Sequence, residues 1–448
     1  MLTDTANGTT PLSFWPRVRE FAVPASMIET ATARRRTGDW AGACAAAGFD
    51  LDLGLKSLAR THGSEAARHV RADLRHLAPD LLRWHMPRIA PDGLLRPGLT
   101  VPLARYEPPD RDVPSALTLV VRTAPAWADG GQRISLALWD GGPPGGPAYP
   151  HPHPHPSRRF RFDLHRHLWD ARRTDELRAR SGAVDDPEPD GSPFGRWAAE
   201  ARILLRSEGR TSGDVAVRAA GRRFVVAVDA RAAARITEQP RGDRGGPGAV
   251  LPLLPDAAAG VPPDLLLLRA GAIDPGRLHP LVAAALVPDR ARETPPPAEH
   301  EPGRPRTVVC RGARHRIALV DGVLSALDHS PAEVRREELL AALSGTPLPC
   351  LRAIDDAHRR PEGLAGVRDR LDHGDAAGAL AVVEGLLGPA ATLRDGALRD
   401  ALEDAARRRI TYGLYRAGLI GPRPRQQAGR APRRIENPRT RPRRRSPR

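Results

Sequence analysis

The chain is almost free of lysine, which argues against several enzyme classes. Of its 69 basic residues only Lys56 is a lysine, and the rest are arginine. A P-loop needs a lysine directly after a glycine and before Ser or Thr, where its ammonium group reaches the phosphates. A protein kinase needs one on its third strand. Lys56 follows Leu55 rather than a glycine, so we expect neither a P-loop NTPase nor a protein kinase, and a lysine Schiff base would have to use Lys56.

Cysteine and long apolar runs are also scarce. The three cysteines are Cys44, Cys310 and Cys350, an odd and sparse set that builds no disulfide framework and is typical of a reducing compartment. The first residues show no basic segment followed by an apolar run, so we expect no signal peptide. The longest apolar runs are far shorter than the roughly 20 residues that span a bilayer. We therefore expect a cytoplasmic protein without membrane contact.

Aromatic residues are few, at 4%, whereas proline and glycine number 47 and 42. This composition, with arginine in place of lysine, resembles that of proteins from high-GC actinomycetes. Because such a bias follows codon usage, the arginine content alone is not a functional signal. An apolar fraction of 40% is enough for packed cores, and the length of the chain predicts about two to four domains.

The net charge of +16 is concentrated at the C-terminal end. Residues 421–448 contain eleven arginines and one acid, Glu436, which leaves a net charge of +6 for the other 420 residues. Proline and glycine are concentrated in this tail and in three other segments, 141–157, 183–192 and 288–306. We expect the first of these three, 141–157, to be a Pro/Gly/His-rich loop. Proline removes amide donors and favours extended backbone, so packed elements should stop at these segments.

These signals predict an α+β fold with several domains. We expect a helical N-terminal domain at 12–90, a mixed, strand-rich middle region at 94–287, a linker at 288–306, a module with a β-hairpin and a helical bundle at 307–420, and a disordered Arg/Pro-rich tail at 421–448.

Local patterns place individual elements. Period-two alternation predicts strands at 134–138, 160–164, 215–218 and 224–228. A turn at Gly221 would join the last two strands into a hairpin. The apolar run 265–268 is short enough for a buried strand. Ser330 and Glu333 form a capping box, which predicts the start of a helix.

Two distant segments share one pattern. Gly38-Asp39-Trp40-Ala41-Gly42-Ala43-Cys44-Ala45 aligns with Gly374-Asp375-Ala376-Ala377-Gly378-Ala379-Leu380-Ala381, and six of the eight positions are identical. Glycine can end one helix in the left-handed conformation, and aspartate can cap the next. The pattern resembles the helix–turn–helix joint of tetratricopeptide repeats, a resemblance that covers residues 364–389. Because no period near 34 residues runs through the chain, we expect helical hairpins rather than a repeat array.

Histidine is concentrated within residues 151–167, which hold five of the 15 in the chain. If 160–164 is a strand, Asp163 and His165 share one face, with His167 next along. Two imidazoles and a carboxylate could ligate zinc, so these residues are candidate metal ligands and zinc a candidate cofactor. The alternative is an exposed polar strand face that needs no cofactor.

Two further groups are candidates for catalysis. Cys350 could pair as a nucleophile with His358 or His329, since such partners are close in space rather than in sequence. Asp328 and His329 could act as an acid–base pair. The alternative is that Asp-His before a helix start serves turn and cap chemistry, which commonly uses these residues.

The arginines of the tail are candidate phosphate contacts. They include Arg433, Arg434, Arg441, Arg443, Arg444 and Arg445. Such a segment can release counterions from nucleic acid, and without aromatic residues for base stacking it would bind without sequence preference. The alternative is a solvated, disordered end.

The sequence favours a non-enzymatic protein that acts in protein interaction, regulation or scaffolding. Helical hairpins bury one face together and leave another for a partner, so we expect a protein to contact the C-terminal helices around 351–387. HExxH and GxSxG motifs are both absent from the sequence, which favours this interpretation. The alternatives are a metal-dependent enzyme with a His/Asp site on the middle sheet and nucleic-acid binding through the tail.

Overall fold

The computed structural model confirms the predicted α+β fold. It describes residues 11–107, 116–141, 151, 153–182, 194–219, 221–229, 234–239, 251–288, 306–310, 313–320, 323–326, 328–330, 332–333, 335–336, 339, 362–387 and 396–421. Most of the predicted linker and all but the first residue of the predicted tail lie outside this set. Within it, no helix has both the length and the apolar character needed to cross a membrane.

The N-terminal part is helical, as predicted. Its helices are α1 (Pro11–Arg17), α2 (Ala25–Arg36), α3 (Trp40–Ala46), α4 (Leu55–His76) and α5 (Pro79–His85), with a π-helical turn at Val18–Ala22. Pro79 opens α5, where its missing amide costs no hydrogen bond. The backbone of α4 bends at Gly63, whose φ is +87°, and beyond the bend Val70 and Leu74 face the core.

A four-stranded sheet follows. Its strands are β1 (Phe49–Asp52), β2 (Thr100–Tyr106), β3 (Leu117–Thr123) and β4 (Ile134–Trp139). The spatial order is β1-β4-β3-β2. Strand β1 runs parallel to β4, while β3 is antiparallel to both of its neighbours. Most residues of β2 and β3 are buried, so this sheet lies inside the core.

A second sheet packs against a helix of the middle region. Helices α6 (Glu176–Arg180) and α7 (Phe194–Ser207) precede strands β5 (Gly213–Ala219), β6 (Arg222–Val228) and β7 (Arg235–Gln239), and α8 (Asp256–Ala259) follows. The predicted hairpin is confirmed: β5 pairs antiparallel with β6 across Gly221, whose φ is +73°. Trp197 of α7 and Val226 of β6 belong to one buried apolar cluster.

One large apolar cluster joins the N-terminal helices to the first sheet. It also takes in residues of α9 (Pro263–Arg269) and α10 (Pro280–Leu286). Trp84, Leu119, Phe162 and Val282 are all buried members. Residues from both sides of 90–94 therefore share a core, while the predicted domain boundary at that point stays a prediction.

Two buried hydrogen bonds tie α5 to α9 and α10. Trp84 Nε1 donates to Asp264 Oδ2 at 2.7 Å, and His279 Nε2 donates to Asp80 Oδ2 at 2.8 Å. His279 Nδ1 accepts the amide of Leu281 at 3.2 Å, so the ring proton must reside on Nε2. Burial raises the pKa of Asp264. These bonds fix the register of three elements that apolar contacts alone would leave free to slide.

The strand predicted at 160–164 is wrong, and the run 265–268, which the sequence left open as a buried strand, is helical. Residues 160–164 form turns, in which successive amides bond to carbonyls three residues back at 3.1 Å. Arg161 and Asp163 pair with each other between buried phenylalanines, and this arrangement produces the same alternation as a strand. Residues 265–268 lie within α9, which Pro263 opens. A short apolar run cannot distinguish a buried strand from a buried helix.

Within the described residues, the C-terminal module contains the predicted β-hairpin and a third strand. Strands β8 (Arg306–Cys310), β9 (Ala313–Val320) and β10 (Val323–Ala326) form an antiparallel sheet. The predicted capping box is confirmed: the Ser330 amide donates to Glu333 Oε2 at 2.9 Å, and the Glu333 amide donates to Ser330 Oγ at 3.2 Å.

Three C-terminal helices form a small bundle. They are α11 (Glu362–Asp372), α12 (Ala376–Leu387) and α13 (Ala397–Arg416). Val367, Leu371, Ala379 and Val383 are buried between them, with Leu402 of α13 packed against the group.

Candidate anion-binding site

The joint between α2 and α3 is closed by one aspartate and one arginine. Gly38, with φ at +81°, follows α2 in the left-handed conformation. Asp39 Oδ1 then accepts the amide of Gly42 at 2.8 Å, while Arg34 Nη1 donates to the same carboxylate at 2.7 Å. A Cβ on Gly42 would overlap this carboxylate. Glycine is required at this position because the capping group occupies the space of its side chain.

The joint between α11 and α12 repeats this geometry. Gly374 has φ at +84°, Asp375 accepts the amide of Gly378 at 2.9 Å, and Arg370 Nη1 donates to Asp375 at 2.9 Å. A Cβ on Gly378 would overlap the Asp375 carboxylate. The predicted helical hairpins are confirmed, and the shared pattern extends to an arginine five residues before each aspartate.

The two hairpins border one cavity of about 330 Å³. Its apolar lining includes Phe21, Met27, Ala45, Ala46, Leu371 and Ala405. Its charged and imidazole lining is Arg83, Arg133, His373, Asp375, Arg408 and Arg409. Ligand sites for small molecules usually measure roughly 300–1,000 Å³, so the space suits a compact molecule.

Arg83 is a buried cation held by carbonyl groups. It is only 2% exposed, and it donates to the carbonyl oxygens of Ala22, Ala47, Gln132 and His373 at 2.7–3.5 Å. Burial lowers its pKa to about 10, so the side chain is charged at neutral pH. Carbonyl oxygens accept its N–H groups, and within the described part of the chain no carboxylate bonds to it.

The other three arginines of the cavity differ in their partners. Arg133 forms a bidentate pair with Asp50 at 2.7 and 2.8 Å, and Arg408 donates to Asp372 at 3.0 Å. Arg409 is exposed on α13 and forms no ion pair with any described residue. Two guanidinium groups of the lining, those of Arg83 and Arg409, therefore lack a bonded carboxylate.

The remaining polar lining adds no compensating charge. Asp375 is the carboxylate on the described lining, and its charge is matched by Arg370 at 2.9 Å. His373 is buried, and burial together with the nearby cations Arg88 and Arg83 lowers its pKa to about 3. Its Nε2 donates to the carbonyl of Asp92 at 2.9 Å, so Nδ1 is a neutral acceptor, and this atom has no partner among the described residues.

The cavity exists because the C-terminal helices pack closely on the N-terminal part. A Cβ on Gly374 would overlap the carbonyl oxygen of Gly131, so backbone meets backbone at this point. On the other side of the contact, Asp50 accepts a hydrogen bond from Tyr412 Oη at 2.6 Å and pairs with Arg416 at 2.9 Å. Anything bound in the cavity thus touches both sides of this contact.

Comparison with family models, curated proteins and solved structures finds no match to this chain. The site is therefore interpreted from its own residues. Sequence reasoning missed Arg83, Arg133 and Arg409, whereas His373 belongs to a second Asp-His pair, Asp372-His373, that precedes a helix start. One local signal was present, since Arg83 is the charged residue in the otherwise apolar run Leu81-Leu82-Arg83-Trp84.

Two of the three predicted metal ligands, Asp163 and His165, have other polar neighbours. Asp163 pairs with Arg161 at 2.8 Å, and His165 Nε2 lies 3.3 Å from Glu200 Oε2. Although burial raises the pKa of Glu200, hydrogen bonds from His165 and Arg180 lower it to about 2. His167 is buried, with its ring centre 5.8 Å from that of His165. No three His, Cys, Asp or Glu side chains in the described ranges are arranged to hold a metal ion.

Asp328 and His329 each contact strand β9. Asp328 accepts the amide of Arg316 at 2.6 Å and pairs with its guanidinium at 2.9 Å, while the His329 ring stacks on His315 with centres 4.3 Å apart. These contacts attach the turn after β10 to its sheet neighbour, as expected of turn chemistry.

Other predicted site residues lie outside the described residues. They are Cys350, His358, Arg433, Arg434, Arg441, Arg443, Arg444 and Arg445. The cysteine nucleophile and the nucleic-acid contacts of the tail therefore stay predictions. Cys44 is a buried free cysteine whose pKa burial raises to about 12, which makes it a small core residue.

Proposed function

We propose that this protein is a non-enzymatic regulatory or interaction protein that binds a small anion between its N-terminal part and its C-terminal helices. The observation that carries the proposal is the pair of guanidinium groups, Arg83 and Arg409, which share one cavity and bond no carboxylate in the described part of the chain. A buried cation such as Arg83, to which no carboxylate bonds, favours an anionic ligand.

The chemistry of the lining supports binding rather than acid–base catalysis. His373 is a neutral imidazole at physiological pH because burial lowers its pKa to about 3. Asp375 is committed to the amide of Gly378 and to Arg370. General acid–base catalysis works best with a group whose pKa lies near the operating pH, and His373 does not meet that requirement.

The regulatory part of the proposal follows from where the cavity lies. Its walls come from α2 and α3 on one side and from α11, α12 and α13 on the other. A ligand that touches both sides stabilises the docked arrangement by its binding free energy. The C-terminal helices, which we propose as the surface for a protein partner, would then be presented in an anion-dependent way in the cytoplasm.

A charge-matched pair of variants tests the binding. Calorimetric titration of the full-length protein with inorganic phosphate, sulfate and malonate should show one site. Arg409→Gln should weaken that binding by about tenfold, the usual effect of losing one charged hydrogen bond. Arg407→Gln removes the same charge from the same helix, but Arg407 pairs with Asp404 and is not part of the lining, so it should have no effect. Absence of binding, or equal loss in both variants, would contradict the proposal.

Hydrogen exchange tests the coupling. Saturating anion should slow amide exchange in α11 and α13, because bound ligand disfavours the undocked state of these helices. Helix α7 lies apart from the cavity lining and serves as the internal control. Unchanged exchange in α11 and α13 at full occupancy would remove the regulatory part of the proposal.

A further inference from the structure

We propose that the anion is the phosphate group of a small phosphate monoester, held at the N-terminus of α2, and that the rest of this ligand carries a hydroxyl or amino group. The inference rests on the proposed function and specifies the chemical class of the ligand. It combines the cavity, its two unpaired guanidinium groups, an uncapped helix start and one buried acceptor.

The start of α2 lies on the cavity and is uncapped. Pro24 precedes the helix in an extended conformation and makes no side-chain cap. The amides of Met27 and Ile28 bond to the Pro24 carbonyl at 3.1 and 3.3 Å, whereas those of Ala25 and Ser26 have no acceptor within the described residues. Pro24 and Ser26 line the cavity. Free amides at a helix start, reinforced by the helix dipole, are suited to phosphate.

Charge indicates a dianion rather than a monoanion. Arg83 and Arg409 bring two positive charges that no bonded carboxylate in the described ranges matches. A phosphate monoester carries between one and two negative charges near neutral pH, since its second pKa is about 6. A phosphodiester or a simple carboxylate carries one and would leave a cation uncompensated. Arginine also binds phosphate oxygens in a bidentate manner.

Hydroxyl groups and a buried acceptor complete the description. Ser26 and Thr30 are four residues apart on α2 and both line the cavity, so their hydroxyls can donate to phosphate oxygens on the same helix face. His373 is only 4% exposed, and its Nδ1 has no partner among described residues. As a neutral acceptor it requires a donor, which we assign to a hydroxyl or amino group of the ester substituent.

The remaining space limits the substituent. About 330 Å³ accommodates a small molecule but not a polymer. Phe21, Met27 and Leu371 offer apolar surface on the same lining, so the substituent can bury part of its hydrocarbon there.

Matched chemical probes test the class of ligand. Titrations of the full-length protein at neutral pH would compare methyl phosphate with dimethyl phosphate and malonate. We expect methyl phosphate to bind about tenfold or more tightly than either, because only it combines two charges with phosphate geometry. Glycerol phosphate should in turn bind more tightly than propyl phosphate, which lacks the hydroxyl groups. Equal affinities for methyl phosphate, dimethyl phosphate and malonate would overturn the monoester assignment. Equal affinities for glycerol phosphate and propyl phosphate would overturn the donor assignment.

A pair of helix-start variants tests the location. Ser26→Asp places a negative charge in the first turn of α2, where the helix dipole favours it, so the fold should be retained while methyl phosphate binding falls by about tenfold or more. Ser57→Asp makes the same change in the first turn of α4, away from the cavity, and should leave affinity unchanged. Retained affinity in Ser26→Asp would overturn the location. If no anion binds at all, the proposed function fails as well, whereas equal binding of all anions overturns this inference alone.

Discussion

Mild acid is expected to unfold this protein because its core holds neutral histidines. Burial lowers the pKa of His85 and His167 well below 6.5 and also lowers that of His151. The pKa of His373 falls to about 3 because of burial and the nearby cation Arg88. Below pH 6.5 the unfolded chain therefore binds more protons at these side chains than the folded chain does. Folding stability is therefore complete above pH 6.5 and is lost as the pH falls.

The size of the effect follows from the number of buried rings. Each strongly shifted ring contributes up to about 1.4 kcal/mol per pH unit to the free energy of unfolding, so His85, His167 and His373 together give a slope of about 4 kcal/mol per pH unit. Asp264, whose pKa burial raises, acts in the opposite sense, since the folded chain takes up its proton first. Because domains are usually stable by only about 5–15 kcal/mol, we expect acid unfolding between about pH 5.5 and pH 4.

Urea unfolding followed by circular dichroism measures this slope. The free energy of unfolding should fall by about 4 kcal/mol between pH 7.5 and 5.5. His373→Gln keeps a donor for the Asp92 carbonyl but removes one titrating group, so its slope should be shallower by about 1.4 kcal/mol per pH unit. His69→Gln, at an exposed position of α4, should leave the slope unchanged. A total loss below about 1.5 kcal/mol over this range would refute the reasoning.

Three glycine substitutions test the helical joints. Gly374→Ala should undock the C-terminal helices because its Cβ would overlap Gly131, whereas Gly38→Ala, which has the same left-handed backbone but open space around it, should cost only about 1 kcal/mol of conformational strain. Hydrogen exchange in α11 distinguishes the two, and equal exchange would contradict the docking role of Gly374. Gly378→Ala should lower the melting temperature by displacing the Asp375 carboxylate, a cap worth about 1 kcal/mol, and an unchanged temperature would show that the cap contributes nothing.

Features that depend on neighbouring residues could be predicted from sequence. The hairpin across Gly221, the capping box at Ser330 and the two Gly-Asp joints each depend on contacts within about six residues, where turn and cap chemistry acts. The arginine of each joint lies only five residues before its aspartate, so extending the alignment of the two segments would have found it. The strand prediction at 160–164 was wrong although the contacts there are local. The paired Arg161 and Asp163 produce the alternation of a strand without its hydrogen bonds.

The cavity could not be predicted because its contacts join distant parts of the chain. Arg83 bonds to carbonyls that lie from 36 to 290 residues away in sequence. Periodicity and motif spacing carry no information about such pairs, since they describe one element at a time. The candidate site residues were chosen for their side-chain chemistry. Two of them, Asp163 and Asp328, instead bond arginines that no motif would have assigned to them.

Compositional bias hides this site in the sequence, but the structure separates one arginine from another by its partners. Arg133 and Arg408 bond carboxylates. Arg83 instead uses the rigid fork of its guanidinium to bond four carbonyls, a geometry that the three donors of a lysine ammonium on a flexible stem would not reproduce. The charge that can attract a ligand is the charge left after internal partners are considered. In this cavity it belongs to Arg83 and Arg409, so an arginine-rich genome explains how many arginines are present but not why these two lack a carboxylate.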